Sequence, residues 1–430
     1  MNKIERLVYD CVKSSPALKF FIRNIYQTAF DLLPHPQNQF AYSYCYKEGF
    51  FFGFHDCSPF SDDDTKLLAN HTTIPLRMPK EGETLEVGYF DLDKDGQMKE
   101  FHPLGQSAAW NYHKGCRLQW CGNNNRIIFN TAIDGIAVSK IVNLDGTEEC
   151  TIPFPIDTVS SDGTFATSFN YERLNILMPG YGYEHCTGNS YINEKSPKNT
   201  GLFLVNLQTQ ESQLLLSLKE LADSLPKEHN ANQYKHYVTH SEFSLDGRYI
   251  SFLHRWIGDD YRKRHSRLIV YDRTTGQWTA LPTNDMVSHY IWNSQNQIIA
   301  YCAVKEGNGH VCFQIPANSY QRILPGIMND DGHQTMLTDE VFAADTYPDR
   351  RRMASIFLVN KEQQERKRIV YVYSPKDFQT KDFHQHIACD LHPRISPSGK
   401  FICFDTAFSG KRSLCVMNIP PSVSLPWSSH

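Results

Sequence analysis

Four histidines recur at one position of a repeated sequence unit, three residues before the apolar residue that leads into a tight turn. They are His240, His289, His333 and His392. Neutral imidazoles that converge on one point are good ligands for Mn, Fe, Ni, Cu and Zn. The pattern predicts a divalent-metal site if the repeats bring these positions together; the alternative is a packing residue inherited by duplication of the unit.

Oxygen ligands stand beside two of these histidines. Gln334 follows His333, and Asp390 lies two residues before His392, on the same face of a strand. A mixed set of His289, His333 and His392 with Asp390 or Gln334 would suit Mn²⁺ or Zn²⁺. The expected cofactor is therefore a divalent metal ion, and the residues alone do not choose between these metals.

The other units carry different residues at this position. The second has Arg117 and the third has Ile156, whereas the first has Cys57, with His55 two residues earlier on the same strand face. The His-Gln-His segment 384–386, in the loop that enters the last unit, is a second candidate for metal ligation.

The unit that carries these residues consists of short strands joined by tight turns. Residues 240–247 end in Asp-Gly and lead into the alternating strand 248–253, and residues 392–399 end in Ser-Gly and lead into 400–405. The unit occurs seven times, with first turns near Ser61, Cys121, Asp162, Asp246, Asn293, Thr338 and Ser398. Strand-rich units of about 40 to 60 residues predict an all-β fold, a seven-bladed β-propeller. The innermost strands of its blades start around one mouth of the central channel, where the histidines should meet.

The expected domain organisation is a propeller over residues 37–430, preceded by a short helical arm over residues 1–36. The alternating segment Phe40–Tyr46 is predicted to be the outer strand of blade seven, because the proline-rich residues after Asn418 do not suit that role. Residues 1–34 combine apolar residues at helical spacing with Lys and Arg. They predict either a helix packed on the rim or a peripheral contact with a membrane or an assembly partner.

Composition excludes several classes of function. The 430 residues contain 43 Lys and Arg against 47 Asp and Glu, so there is no general basic footprint for nucleic-acid binding. The 12 cysteines form no CxxC pair, and no cleavable signal is recognised, which predicts a reducing, cytoplasmic location. Phosphate-loop, dinucleotide-binding and serine-hydrolase motifs do not occur in the sequence.

Three segments of the last blades resemble the oligogalacturonate lyase family. They are Val287–Trp292, Asp331–Gln334 and Asp390–Arg394. The resemblance implies a seven-bladed propeller with a histidine-bound metal at the channel mouth, and cleavage of uronic-acid oligosaccharides by β-elimination. By position it implies that His333 and His392 are metal ligands and that His289 lies near the substrate. The family has a His-x-His pair in its last blade, where this chain has Asp390 in place of the first histidine.

Elimination from a uronate has three chemical requirements: neutralisation of the carboxylate, a base for the α-proton and an acid for the leaving oxygen. A bound cation, Arg117 or Arg173 could neutralise the carboxylate. The candidates for the base are His55, His240, His289 and Tyr171. Sugar rings could stack on the aromatic residues Tyr171, Tyr181 and Tyr183. The expected partner is an acidic oligosaccharide substrate.

Two other functions are compatible with the same fold, because propellers host many chemistries. The first is a glycoside hydrolase or transferase, for which Asp345, Asp405 and Glu172 are candidate carboxylates. Asp345 and Asp405 recur at positions equivalent to Asn70 and Asn130, however, which favours a structural role. The second is a non-catalytic binding or assembly protein of cell-surface polysaccharide metabolism.

Overall fold

The computed structural model describes residue 30 and residues 33–122, 125–260, 263–380 and 384–420. It is a seven-bladed β-propeller, so the predicted all-β fold class is confirmed. Each blade is an antiparallel sheet that begins at the channel and proceeds outward. The predicted helical arm, residues 1–36, lies outside the described residues except for Phe30 and residues 33–36.

The first four blades follow one another along the chain. Blade one consists of Phe50–Phe51, Lys66–His71, Leu85–Leu92 and Met98–Ser107. Blade two consists of Gln119–Trp120, Arg126–Ile133, Ile136–Asn143 and Glu148–Ile152. Blade three has three strands, Phe165–Ser168, Gly201–Asn206 and Ser212–Ser217. Blade four consists of Lys235–Phe243, Tyr249–Ile257, Arg264–Asp272 and Trp278–Ala280.

Blades five to seven complete the ring. Blade five consists of Val287–Trp292, Gln297–Val304, Gly307–Gln314 and Tyr320–Arg322. Blade six contains Gln334–Met336, Val341–Asp345, Met353–Asn360 and Glu365–Tyr373. Blade seven contains Arg394–Ile395, Phe401–Thr406 and Ser413–Asn418.

The start of the propeller supplies the outer strands of the last two blades. Tyr44–Glu48 pairs with Ser413–Asn418 of blade seven, whereas Gln39–Phe40 pairs with Glu365–Tyr373 and becomes a fifth strand of blade six. The segment Phe40–Tyr46 is thus not one strand, because the chain bends between the two pairings. Phe40 belongs to blade six, contrary to its predicted place in blade seven, and both blades gain an outer strand.

Short helices occur in the connections. The helix Tyr171–Leu177 follows the first strand of blade three, and Leu218–Asp223 lies between blades three and four. The second begins with a capping box, in which Ser217 and Glu220 satisfy each other's backbone N–H groups. Short 3₁₀ turns also occur, at Lys227–His229, Ala231–Gln233 and Lys376–Phe378. None of the helices in the described ranges is long and apolar enough to cross a membrane.

The core lies between the blades, since both faces of each sheet are covered by neighbouring sheets. For this reason the middle strands are mostly buried; in Phe401–Thr406 every residue is buried. Cysteines take part as small apolar residues, and every cysteine in the described part of the chain is an unpaired thiol.

Polar side chains of the second strands connect adjacent blades. Asp405 of blade seven accepts the backbone N–H groups of Phe52 and Gly53 in blade one, each at 2.9 Å. Asn130 of blade two bonds both the N–H and the carbonyl of Ile156 at the start of blade three. Asp405 therefore has the structural role that its recurrence in the repeat predicts.

A buried relay of side chains fastens the connection before blade four. Arg267 Nε donates to Nδ1 of His254 at 3.1 Å, so His254 Nε2 carries the proton that it donates to Nδ1 of His236 at 2.9 Å. His236 Nε2–H then donates to the carbonyl of Ala231. Burial is the main cause that lowers the pKa of His236 to about 4, so the folded protein holds this imidazole neutral.

This relay predicts a loss of stability in mild acid. Below pH 6.5 the unfolded chain protonates His236 while the folded chain does not, so stability falls as the pH falls toward 4. At pH 5, protonation of His236 in the unfolded chain alone lowers the free energy of unfolding by about 2 kcal/mol. The free energy of unfolding by urea should therefore decrease between pH 7 and pH 5 in both proteins. The decrease in His236→Gln should be smaller than in the wild type by that amount. An identical fall in both proteins would contradict the assignment.

Candidate metal centre

Three histidines and an aspartate meet at one mouth of the channel. One ligand atom each of His113, His333, Asp390 and His392 lies within 4.8 Å of the others. Nε2 of His333, Nε2 of His392 and both ring nitrogens of His113 are buried without a hydrogen-bond partner among the described residues. Buried polar atoms normally have a partner. Imidazole nitrogens with a carboxylate form a donor set that suits a divalent transition metal, so the residues fit such an ion.

Asp345 orients two of these ligands. Both of its carboxylate oxygens lie 3.0 Å from Nδ1 of His333, and they also accept the backbone N–H groups of His333 at 2.7 Å and His392 at 2.9 Å. Nδ1–H of His333 therefore faces Asp345, and its Nε2 is left for the cluster, as in carboxylate–histidine–metal arrangements. Burial alone would lower the pKa of His333, but the Asp345 carboxylate raises it above its ordinary value.

A glycine permits this close packing. A Cβ atom on Gly332 would lie 1.9 Å from the backbone oxygen of Asp345, so only glycine allows the segment before His333 to approach the second strand of its blade. The Gly-His pair at 332–333 is thus explained by the geometry of the ligand that follows it.

Equivalent positions of different blades share an unusual backbone. Arg117, His240 and His392 have φ values of 57°, 53° and 44°, in the left-handed region. In blade four this conformation coincides with a register irregularity between Thr239 and Glu242, and blade five has an irregularity between Val287 and Tyr290, around His289. Such bulges re-aim side chains, which explains why one position of the repeat faces the channel.

His289 lies beside the four-residue cluster but outside it. Its ring centroid is 4.0 Å from that of His333, and its Nδ1 lies 3.3 Å from Oδ1 of Asp331, which also accepts the hydroxyl of Ser288 at 2.7 Å. Burial, followed by the charge of His333, lowers the pKa of His289 to about 4. The imidazole is therefore neutral at pH 7 and is oriented by a carboxylate.

Two further predicted histidines face the same space. His55 places Nδ1 2.8 Å from the carbonyl of Gln334, and its ring centroid is 5.1 Å from that of His333. His240 places Nδ1 2.8 Å from the hydroxyl of Thr239. Burial lowers the pKa of both imidazoles well below its ordinary value.

The ring of Phe54 packs against the histidines of this site. The centroid of its ring lies between 4.6 and 6.0 Å from the ring centroids of His55, His113, His240, His289, His333 and His392. Buried ion pairs join Lys114 and Arg117 to Asp56 and Asp157, and the Lys114 ammonium lies 5.4 Å from the centre of the Phe54 ring.

Comparison with solved structures gives the same architecture. An oligogalacturonate lyase in complex with manganese matches with a TM-score of 0.61 over 91% of this chain and 100% of that chain, at 14% sequence identity. An oligogalacturonate lyase from Vibrio parahaemolyticus matches with a TM-score of 0.57 over 89% of this chain and 98% of that chain, at 10% identity. This chain has the fold of the oligogalacturonate lyases. The resemblance inferred from the sequence is thereby confirmed at the level of fold.

The fold alone leaves the function open. The tricorn protease also matches 90% of this chain, with a TM-score of 0.50 at 9% identity, although the match covers only 34% of that protein. No protein-family model matches the sequence, and no curated protein matches it either. The function must therefore be argued from the side chains at the channel mouth.

The cluster lacks two residues of the predicted ligand set, His289 and Gln334, and contains one that the repeat did not predict, His113. Gln334 directs its amide N–H toward the carbonyl of Gly332 at 2.9 Å and toward Nδ1 of His310 at 3.3 Å, away from the cluster. Asp390 is thus the oxygen ligand, and His113 is the third histidine. It lies between blades one and two in a turn in which Asn111 Oδ1 accepts the N–H groups of His113 and Lys114.

Both arginines predicted to neutralise a substrate have structural roles instead. Arg117 binds both carboxylate oxygens of Asp56, at 2.7 and 3.0 Å, and its Nε contacts Asp157. Arg173 donates to the backbone carbonyls of five residues: Ser190, Tyr191, Glu194, Lys195 and His236. Both guanidinium groups are buried and bonded within the protein, although Nη2 of Arg117 has no hydrogen-bond partner among the described residues.

Two of the three predicted sugar-binding tyrosines are interior residues. Tyr171 and Tyr183 are buried and stacked with ring centroids 4.8 Å apart, and the hydroxyl of Tyr171 donates to the carbonyl of Ile156. The Tyr183 hydroxyl lies 2.6 Å from the amide of Asn130. Tyr171 is therefore not available as a base, and neither ring is exposed to a sugar. Tyr181 does face the site, with its ring centroid 4.3 Å from that of His113.

Two arginines of blade four lie near the same mouth. Arg255 is 4% exposed, its Nε has no partner, and its Nη1 donates only to the sulfur of Met178. Burial and then the charge of nearby Arg264 lower the pKa of Arg255 to about 10. In the described part of the chain, neither arginine forms an ion pair with a carboxylate. Arg255 is thus a buried charge that an acidic ligand would compensate, whereas Arg264 is exposed beside it.

Proposed function

We propose that the protein is a metal-dependent lyase that cleaves uronic-acid-containing oligosaccharides by β-elimination. The observation that carries the proposal is the cluster of His113, His333, Asp390 and His392, whose buried imidazole nitrogens lack partners. The similarity in fold to an oligogalacturonate lyase in complex with manganese supports the same reaction class.

The four residues of the cluster would hold a divalent ion such as Mn²⁺ or Zn²⁺. When bound, such an ion acts as a Lewis acid that draws negative charge from the substrate carboxylate and makes the neighbouring C–H more acidic. Asp345 fixes the ring of His333 for this purpose, and Asp390 provides the oxygen ligand where the lyase family has a histidine.

The residues around the cluster supply the other requirements of elimination. His289 is neutral and oriented by Asp331, so its free ring nitrogen can take the proton from the carbon next to the carboxylate. The electron pair of that C–H bond forms the new C=C bond, and the C–O bond to the leaving sugar breaks. The leaving oxygen takes a proton from the hydroxyl of Tyr181, whose pKa is raised by burial so that it stays protonated.

Arg255 and Arg264 provide positive charge for substrate carboxylates. The backbone oxygen of Ser288, beside His289, lies 3.5 Å from Nη2 of Arg255, so this guanidinium adjoins the proposed base. An anion placed there would have a cation on one side and the base on the other. The favoured substrate is therefore an acidic oligosaccharide.

No observation favours the hydrolase alternative. Asp345 is bonded to His333 and His392, and Asp405 to blade one and to Arg394, so neither carboxylate faces a ligand. We place the reaction in the cytoplasm, which the unpaired cysteines of the described residues support.

The test is direct incubation with uronate oligosaccharides. The expected product carries a new C=C bond conjugated with the carboxylate and is followed by its ultraviolet absorbance. Treatment with a chelator should abolish its formation, and addition of Mn²⁺ or Zn²⁺ should restore it. Products without the double bond would contradict a lyase, and binding of the oligosaccharides without any cleavage would favour the non-catalytic alternative.

A further inference from the structure

A second cavity lies between blades seven and one, on the other side of the segment that carries Asp390. This groove has a volume of about 830 Å³, in the range of cavities that bind small organic ligands. Its lining includes Thr72, Thr73, Tyr112, Phe378, Lys411 and Arg412. Hydroxyl groups, aromatic rings and cations thus line one cavity, outside the metal centre.

Arg412 is a buried cation in this lining without an ion-pair partner. It is 6% exposed, its Nε has no hydrogen-bond partner, and no carboxylate of the described residues pairs with it. Its guanidinium lies 4.6 Å from the centre of the Tyr112 ring and 5.8 Å from that of Phe378. A buried charge without a counterion is costly, and an anionic ligand would compensate it.

The remaining charges of the groove lie at its edge. Lys411 is exposed and forms an ion pair with Glu48 at 3.0 Å. Exposed pairs of this kind contribute little energy, so Lys411 can exchange Glu48 for a ligand carboxylate. Asp377 is also exposed at this edge. The positive charge that is buried is therefore that of Arg412, and the acidic groups stay in contact with solvent.

The groove adjoins the metal centre through a short segment of chain. Arg412 Nη2 donates to the carbonyls of Ile387 and Ala388, each at 2.8 Å, just before Asp390. Phe378 lines this groove and also the smaller cavity, of about 310 Å³, that contains Asp390, Tyr181 and Tyr347. A chain of sugars that leaves the metal centre over Phe378 would enter the groove.

We infer that the groove between blades seven and one is a second subsite for an acidic sugar, remote from the bond that is cleaved. The inference rests on the proposed function for its substrate class. Sugar hydroxyls bond to Thr72 and Thr73, and the carboxylate lies against Arg412 and Lys411. The subsite selects oligosaccharides long enough to span both cavities.

The test is calorimetric titration of the chelator-treated full-length protein with galacturonate oligomers of two and six residues. Thr73→Trp blocks the groove from an exposed position, and Lys411→Glu reverses the charge at its edge. Each should weaken binding of the hexamer about tenfold, or ~1.4 kcal/mol, and weaken binding of the dimer much less. Lys99→Glu is the matched control, because Lys99 is also an exposed lysine paired with an acidic residue, but it lies outside the groove.

The outcomes separate the subsite from the reaction. Failure of the wild type to bind the hexamer, an unchanged affinity in both groove variants, or an equal loss for dimer and hexamer would overturn the inference. Groove-dependent binding of the hexamer without any unsaturated product would support the subsite and reject the lyase reaction. Unsaturated product with groove-independent binding would reject only the subsite. Inorganic phosphate and neutral methyl-esterified hexamer serve as further probes. If Lys411→Glu weakens the binding of phosphate but not that of the hexamer, the groove is not a site for an acidic sugar.

Discussion

Replacing His392 with alanine is expected to remove the bound metal and the elimination activity together. His392 supplies a buried Nε2 that has no hydrogen-bond partner among the described residues, so this nitrogen is available to the ion. Loss of a direct ligand should exceed the roughly 10- to 100-fold loss of affinity seen when outer partners of a ligand are changed. Elemental analysis of purified protein should fall from about one metal ion per chain to less than a tenth.

His113→Ala distinguishes the observed cluster from the ligand set expected from the repeat. It should lower the metal content as strongly as His392→Ala, whereas Gln334→Ala should leave most of the metal bound, because its amide faces His310 and Gly332. His102→Ala, which removes a partly exposed histidine paired with Asp91, controls for the loss of any imidazole. Full metal content in His113→Ala would exclude His113 as a ligand.

His289→Ala is expected to lower kcat with the metal still in place. General-base catalysis contributes about 10²- to 10⁴-fold, so the rate of formation of unsaturated product should fall within that range. The metal content should stay near that of the wild type because His289 lies outside the four-atom cluster. Single-turnover assays with a saturating uronate oligomer, combined with elemental analysis of the same samples, measure both quantities.

Asp331→Asn tests how His289 is oriented. The amide retains the shape of the carboxylate but loses its charge, so kcat should fall less than in His289→Ala. Loss of the metal from His289→Ala would instead make His289 a ligand, as the sequence pattern allowed. A wild-type rate in His289→Ala would leave His55 and His240 as the bases to be tested.

The predictable part of the molecule is the part that repeats. The seven repeats predicted the propeller. Their alignment predicted that His333 and His392 are neighbours, because equivalent positions of the innermost strands converge. Asp390 followed from strand alternation. Three of the equivalent positions, Arg117, His240 and His392, also have a left-handed backbone, which the residue types alone did not show.

The residues of the site that the sequence did not predict do not occupy the repeated position of the blades. His113 belongs to a connecting turn, whose path across the mouth depends on contacts between distant segments. Arg255 is distinguished by the absence of a paired carboxylate among the described residues. Arg117 and Arg173 instead bond to residues that are far away in sequence. A single sequence shows that a residue is charged, but the counterion is decided by the tertiary structure.

The closing strands also constrain the order in which the protein can be completed. Gln39–Phe40 and Tyr44–Glu48 are among the first propeller residues to leave the ribosome, yet their partners Glu365–Tyr373 and Ser413–Asn418 belong to the last two blades of the ring. His113 must likewise await Asp390 and His392. A nascent chain therefore carries unpaired strand edges and an incomplete ligand set until blades six and seven have been made. Metal at this mouth would mark chains whose propeller is complete.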